Sequence, residues 1–452
     1  MINRHRKTQA PSMTTRLFQS LAGLALVAAA AGCDANDQRP MGGGSVKLTW
    51  FSIGNWGFET SDVNIVIDGY MTRIPANYFA GGGGQLGLTK KGYPIDKAAV
   101  DKMRGLLAAD QPVKYLLTGH SHFDHSFDTP YWAQKTGAKI IGSPTTCFQA
   151  QAMGIAKEKC TAVHGGESFQ LSDTVSMWVV LWNHSGTHEG NPEQHDPVEL
   201  TAPPMPDADG NLRAGVAEDF PNGGGNRGFL FKITTPSRVM SLFWTNSGSA
   251  VDLQLDTVIN GTNYGSPLQS LAKAMSSAGL TSVDLWIAGG VEPVARYVVP
   301  ILHPAVFIPN HLGDFFQWFE RGYDNGPFVD PVLTNYLKSV NVKLMLPVQY
   351  LDRFDLTPSG VAAVPNPDQK KAYGFLEKPE YREAGVSPMA SDAAAGSTGG
   401  GSSEASGEPE TGAVDVVPDN MGSDGALDVT SVDVSALDAP ALDAVASDAT
   451  GQ

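Results

Sequence analysis

Three of the chain's ten histidines fall within six residues, in the run Gly119-His120-Ser121-His122-Phe123-Asp124-His125. In an extended loop, side chains two residues apart point the same way, so His120 and His122 can converge on one cation. Asp124 and His125 emerge beyond them and can face a second, neighbouring position. Neutral imidazole is a borderline ligand that suits Zn²⁺, and a carboxylate adds charge and hardness. The bland alternative is a polar turn whose histidines bond to backbone groups. Two later runs end apolar stretches with further histidines. Trp182-Asn183-His184-Ser185-Gly186-Thr187-His188 follows residues 175–181, and Asn310-His311 follows 306–309. His164 reads as a turn residue, His195 as a solvent-facing loop residue, and His303, before Pro304, as structural.

The elements that must position these residues alternate in type. Residues 46–53 and 64–68 read as strands, the second ending at Gly69. Residues 94–110 read as a helix capped by Asp96, with Val100, Met103 and Leu107 at helical spacing. The strand 113–118 leads into the histidine run. A helix at 131–136 precedes a strand at 138–141, and 175–181 is a strand. Residues 229–233 and 239–243 form paired strands. Residues 266–278 carry a full set of helix signals: Ser266 as cap, Pro267 in the first turn, Leu268, Leu271 and Met275 on one face, and Gly279 as stop. Strands at 283–287 and 305–308 follow. This interleaving predicts α/β layers and not a pure β-sandwich.

Residues 189–227 break the rhythm, being rich in Pro, Gly, Asp and Glu, and are either a functional loop able to close as a lid or disordered. Tyr78, the glycines at 81–84, Phe315, Phe316 and Trp318 either line an apolar mouth or belong to the core; core is the more ordinary role. Arg73 and Arg321 are the candidate phosphate contacts.

The chain has 452 residues, of which 42% are hydrophobic and 17% charged, enough for a sizeable core. Gly (50) and Pro (30) argue against a helical bundle. The formal charge of −16 is uneven: Arg4, Arg6, Lys7 and Arg16 give residues 1–32 a charge of +4, and 385–452 carry −12 with no Lys or Arg. The remaining −8 disfavours nucleic-acid partners, which need a positive face. Residues 385–452 cannot bury enough apolar surface to offset ordering and read as a disordered acidic tail.

Residues 1–32 lack acids and run apolar from Leu21 to Ala31, the pattern of a secretory signal peptide. Ala30-Ala31-Gly32-Cys33 resembles a bacterial lipoprotein signal. The resemblance implies cleavage before Cys33, acylation of its thiol, a tether over 33–45, and a protein exported to the periplasm or cell surface and anchored to a membrane without crossing it. Cys147 and Cys160 remain, a pair that either bridges in that oxidising compartment or consists of two small buried hydrophobes.

Over roughly 46–350 the histidine run, the early Ile67-Asp68-Gly69, and the later strand-end histidines resemble the metallo-β-lactamase fold superfamily. Asp284-Leu285-Trp286-Ile287-Ala288-Gly289-Gly290 followed by His311 looks like its L-ascorbate-6-phosphate lactonase branch. The resemblance implies a four-layer αββα sandwich over 46–384, with one or two metals, usually zinc, and metal-activated water attacking an ester, lactone, amide or phosphoester. Carried over, His120 and His122 bind the first metal with His184 as third ligand and His188 as the runner-up. Asp124, His125 and His311 bind the second, and Asp124 also orients the attacking hydroxide or takes its proton. The family supplies a bridging aspartate after the strand corresponding to 239–243; here Asn246 stands near that point, with an amide oxygen and no charge. One tightly held zinc and a weak or empty second site are therefore expected. The expected function is a metallo-hydrolase acting on a small ester- or lactone-like substrate. The alternatives are a catalytically weak metal-binding surface lipoprotein, or a phosphodiesterase or β-lactam hydrolase of the same fold.

Overall fold

The computed structural model describes residues 44–82, 85–107, 111–184, 195–289, 291–323, 328 and 330–375. The signal segment, Cys33, the tether up to residue 43, His188 and the acidic tail lie outside the described residues.

Two mixed sheets carry the fold, with strands numbered in chain order. The first contains β1 (Val46–Ser52), β2 (Asn55–Glu59), β3 (Asn64–Ile67), β4 (Val113–Leu117), β5 (Lys139–Gly142), β6 (Cys160–Ala162), β16 (Asp352–Thr357) and β17 (Gly360–Val364). Its order is β17-β16-β1-β2-β3-β4-β5-β6. The second contains β7 (Ser168–Gln170), β8 (Val175–Trp182), β9 (Asn226–Thr234), β10 (Val239–Trp244), β13 (Leu285–Ala288), β14 (Val306–Pro309) and β15 (Lys343–Leu344), in the order β15-β14-β13-β10-β9-β8-β7. A small hairpin, β11 (Val258–Ile259) and β12 (Thr262–Asn263), stands apart.

Strand periodicity divides the core. Met240, Leu242 and Trp244 of β10 point inward to meet the first sheet, while Phe243 points outward to the helices. β8, β9, β13 and β14 alternate in the same way, so they read as nearly unbroken apolar runs because both faces are buried. Phe58 of β2 stacks on Phe231 of β9 across the interface, with centroids 4.9 Å apart. Helices α1 (Lys97–Arg104), α3 (Thr129–Thr136) and α4 (Pro144–Ala152) cover the first sheet, and α5 (Pro267–Ala278), α6 (Glu292–Leu302) and α7 (Pro331–Ser339) cover the second. The four layers form an αββα sandwich, the architecture that the resemblance implies.

The predicted caps form. Asp96 accepts from Ala99 N, and Ser266 accepts from Gln269 N, with Gly279 left-handed at φ 65°. Helix α1 is shorter than expected: Gly105 ends it, and Leu107 is buried from a following tight turn. The strand expected at 283–287 is shifted to Leu285–Ala288. Strand β2, the hairpin β16–β17 and helices α4, α6 and α7 carried no sequence reading. Cys147 of α4 and Cys160 of β6 are joined in a disulfide. The described part of the long polar stretch, from His195 to its entry into β9, packs Leu212, Ala214 and Phe220 against Phe79, Phe123 and Phe127.

Candidate metal centre

The carboxyl ends of strands from both sheets meet at one rim. β3 ends just before Asp68, β4 leads into the histidine run, β8 ends just before His184, β10 just before Asn246, and β14 just before His311. The run itself turns into a single helical turn, α2 (Phe123–Ser126), which points Asp124 and His125 back toward the rim. Two positions there are left-handed without glycine, Asp68 (φ 61°) and His311 (φ 60°). His311 is held there by a bridge to the β1–β2 turn, where Ile53 N donates to Leu312 O and His311 N to Ile53 O.

Ligand atoms of His120, His122 and His184 lie within 4.8 Å of one another, and so do those of His120, Asp124 and His125. His120 Nε2 faces His122 Nδ1 at 3.2 Å. His311 Nε2 approaches Asp124 Oδ2 at 3.4 Å from the more open side. Nε2 of His122 and Nε2 of His125 are buried without a hydrogen-bond partner among the described residues. The latter lies 3.0 Å from Asp124 Oδ2 without hydrogen-bond alignment. Unpaired buried imidazole nitrogens cost free energy that coordination would recover, and neutral nitrogen with carboxylate oxygen is a donor set suited to a divalent transition cation.

Electrostatics divide the histidines into two kinds. Burial, reinforced by His125, His122 and His184, holds His120 well below the usual imidazole range. Burial pushes His122 down to about 3, and burial together with His122 and His195 keeps His184 well below its usual range. All three are therefore neutral at pH 7, with lone pairs to offer. His125 differs: burial acts to lower it, but Asp124 and Asp68 outweigh burial and raise it to about 10. For Asp124, burial opposes ionisation, and His125 and His311 overcome it to hold the carboxyl well below the usual range.

No family model matches this chain. A curated relative described as a UPF0173 metal-dependent hydrolase, from Myxococcus xanthus (strain DK1622), is 28% identical over 99 residues. The match covers 22% of this chain and spans a third of the relative's length (33%). Among solved structures, Igni18, a metallo hydrolase from Ignicoccus hospitalis KIN4/I, is similar at a TM-score of 0.37 and 14% identity, covering 69% of this chain and 98% of that one. An isothiocyanate hydrolase from Delia radicum gut bacteria gives 0.36 and 11%, covering 68% and 98%. The subclass B3 metallo-β-lactamase MEM-A1, from a soil metagenome library, gives 0.29 and 11%, covering 55% and 77%.

The structure thus brings together His120, His122, His184, Asp124, His125 and His311; His188 and Cys33 lie outside the described residues. Asn246 meets His120 and His125 at their Nδ1 atoms, at 3.2 and 3.1 Å, on the ring edges opposite the facing ligand atoms. Three expectations need correction. His195 is half-buried with its ring 5.1 Å from that of His184, because the polar stretch folds back over the rim. Trp318 is 75% exposed and no part of the core, whereas Phe315 and Phe316 are half-buried against Phe123 and Phe79. Arg73 is buried, lying over Tyr70 and Phe319 and bonded to Ser52 Oγ, so its charge is already engaged.

Several positions around the site had no role assigned from the sequence, Asp68 having entered only as part of the motif Ile67-Asp68-Gly69. Asp68 accepts from His125 Nδ1 at 2.7 Å and from Gly119 N at 2.9 Å. The signal available for it was an acid ending a buried strand. Ser121 lies between two of the histidines and ties the cover to the loop, donating to Pro221 O and accepting from Gly223 N, both at 2.8 Å. Gln149 of α4 donates to Ser121 O and Asp219 O and accepts from Ser126 Oγ, gripping both ends of the histidine run. Neither residue type nor spacing marks such long-range contacts.

Proposed function

We propose that this protein is a metal-dependent hydrolase acting on an ester- or lactone-like small molecule. The observation carrying this reading is the convergence of His120, His122 and His184, neutral and within 4.8 Å at their ligand atoms, beside His125 and the carboxylate of Asp124, which stays ionised. The metal-dependent hydrolase of Myxococcus xanthus supports it over the stretch that is similar.

His120, His122 and His184 would hold a cation, with zinc best matched to three neutral imidazoles. When bound, such an ion supplies Lewis acidity that lowers the pKa of water from 15.7 to about 7. Asp124 contributes a carboxylate that accepts a proton or hydrogen bond from the attacking water, and His125 and His311 keep it ionised for that purpose. Phe315 and Phe316, half-buried beside the rim, give it an apolar flank. Arg213 on the cover segment is engaged by Asp219, and Arg73 is buried, so neither is offered to a phosphate, and of the two expected phosphate contacts Arg321 alone is exposed; with so little positive charge an uncharged carbonyl substrate is favoured over a phosphorylated one. With Asn246 near the expected bridging position, one zinc is held tightly and a second weakly or not at all.

Export and anchoring through acylated Cys33 belong to the same proposal, supported by the composition of residues 1–33 and by the Cys147–Cys160 disulfide, which suits an oxidising compartment. Membrane fractionation of Cys33→Ala, expected to release the protein, checks it. The central test is metal quantification after dialysis combined with lactone, ester, β-lactam and phosphodiester substrates, each with a chelator control. We expect about one zinc per chain and carbonyl hydrolysis that chelation abolishes. Chelator-resistant hydrolysis, or a metal-loaded protein inert on every substrate, contradicts the proposal.

A further inference from the structure

Behind the ligand group lies a buried polar hub that the proposed reaction does not itself use. Asn246 Nδ2 donates to Asp68 Oδ2 at 2.8 Å, and Asn246 Oδ1 lies 3.2 Å from His120 Nδ1 and accepts from Asn226 Nδ2 at 2.5 Å. Asp68 in turn accepts from His125 Nδ1. All five residues are buried, Asp68 at 2% exposure and the others at 0%.

The chemistry fixes the direction of every bond. The Asp68 carboxylate already accepts from His125 and Gly119, so the end of Asn246 that meets it is the NH₂. The amide oxygen is then turned to His120 and Asn226, and His120 must carry its proton on Nδ1 to donate there. That leaves the lone pair of His120 on Nε2, the atom facing His122. Through Asp68 the same amide sets His125, whose Nδ1 proton goes to the carboxylate and whose Nε2 faces Asp124. A leucine at 246 could do neither, and an aspartate would keep the acceptor for His120 but bring a second carboxylate against Asp68.

The backbone is shaped around this amide. A Cβ at Gly119 would lie 2.5 Å from Asn246 Nδ2, and one at Gly54 would lie 2.9 Å from Asn246 Cβ and 2.8 Å from Asp68 Oδ2. Glycine is required at both places because the hub occupies the space of a side chain.

We propose that Asn246 is a positioning residue: its amide, acting through Asp68 on one side and directly on the other, selects which ring nitrogens of His120 and His125 face the cation. The proposal rests on the reading of these histidines as ligands. It gives the residue near the expected bridging position a role in orienting ligands without being one.

The test uses the full zinc-loaded chain. Imidazole N–H resonances in long-range ¹H–¹⁵N spectra report the tautomers, and competition with a chromophoric chelator reports Zn²⁺ affinity. In the unmodified protein the His120 Nδ1 proton should be protected from exchange. Asn246→Ala should expose it and weaken Zn²⁺ binding by about 10- to 100-fold, the usual effect of losing such an outer partner. Asn246→Asp keeps the acceptor, so it should preserve the His120 signal while altering that of His125, a split that general loosening would not produce. If Asn246→Ala does not fold, the Asn246→Asp split alone decides. Wild-type signals and affinity in either folded variant, or equal loss of both histidine signals in Asn246→Asp, overturn the proposal. A protein that takes up no Zn²⁺ overturns the hydrolase reading with it, whereas Zn²⁺ uptake with the expected split and no hydrolysis overturns the hydrolase reading alone.

Discussion

At the scale of single residues, two buried carboxylates four residues apart have opposite characters. Asp124 is kept ionised by the histidines beside it, whereas burial lifts Asp128 to about 6 despite bonds from Thr72 and Met71. Asp124→Asn should lower kcat by about 10²-fold or more while leaving the first cation's affinity nearly unchanged. Unchanged turnover beside metal analysis at wild-type occupancy would remove it from the mechanism. Asp128 makes a different prediction. Its folded pKa lies above the unfolded 3.8, so the folded state holds the extra proton between these values. The stability it contributes is complete below about pH 4 and is lost as pH rises through about 6, a change of about 3 kcal/mol for two units. Asp128→Asn removes the titration, so urea unfolding at pH 4 and pH 7 should show a smaller difference between the two pH values in the variant than in the wild type. An unchanged difference would assign that slope elsewhere.

At the scale of elements, α4 links the histidine run to its cover. Gln149 holds both, Thr145 Oγ1 accepts from Leu200 N, and Cys147 fixes the helix to β6 across thirteen residues. Closing a loop of that size is worth about 3 kcal/mol through the unfolded chain. Cys147→Ser with Cys160→Ser should lose about that much in urea unfolding, and full stability in the double variant would show that helix packing suffices. The last described helix, α8 (Pro367–Tyr373), docks through Lys370, which bonds Asp352 of β16 at 2.6 Å with both side chains buried. Lys370→Met leaves Asp352 buried without its cation and should cost about 3–5 kcal/mol, measured by the same unfolding experiment. A loss under 1 kcal/mol would show that β16 holds without α8.

At the scale of the whole molecule, the site is a seam. Its side chains come from the ends of β3 and β4 in one sheet and of β8, β10 and β14 in the other, so a cation there would couple the two halves. Zinc at a hundred times its Kd should raise the stability of the chelator-treated protein by about 2.7 kcal/mol, and the melt should stay a single transition. A melt that zinc does not move would mean that the histidines hold no ion.

Much of this was legible in the sequence wherever the signal was local. The His120–His125 run, the Asp96 and Ser266 caps and the double-faced strands follow from contacts within a few residues, where spacing and side-chain type decide the outcome. Such signals set the layers and most of the candidate ligands. Tertiary structure alone decided the rest, because it turns on partners far apart in the chain. His195 folds back over the rim, and Asn246 meets Asp68 from 178 residues away. An asparagine has the same local preferences wherever it stands; only the packing of one sheet on the other fixes which carboxylate and which imidazole it reaches.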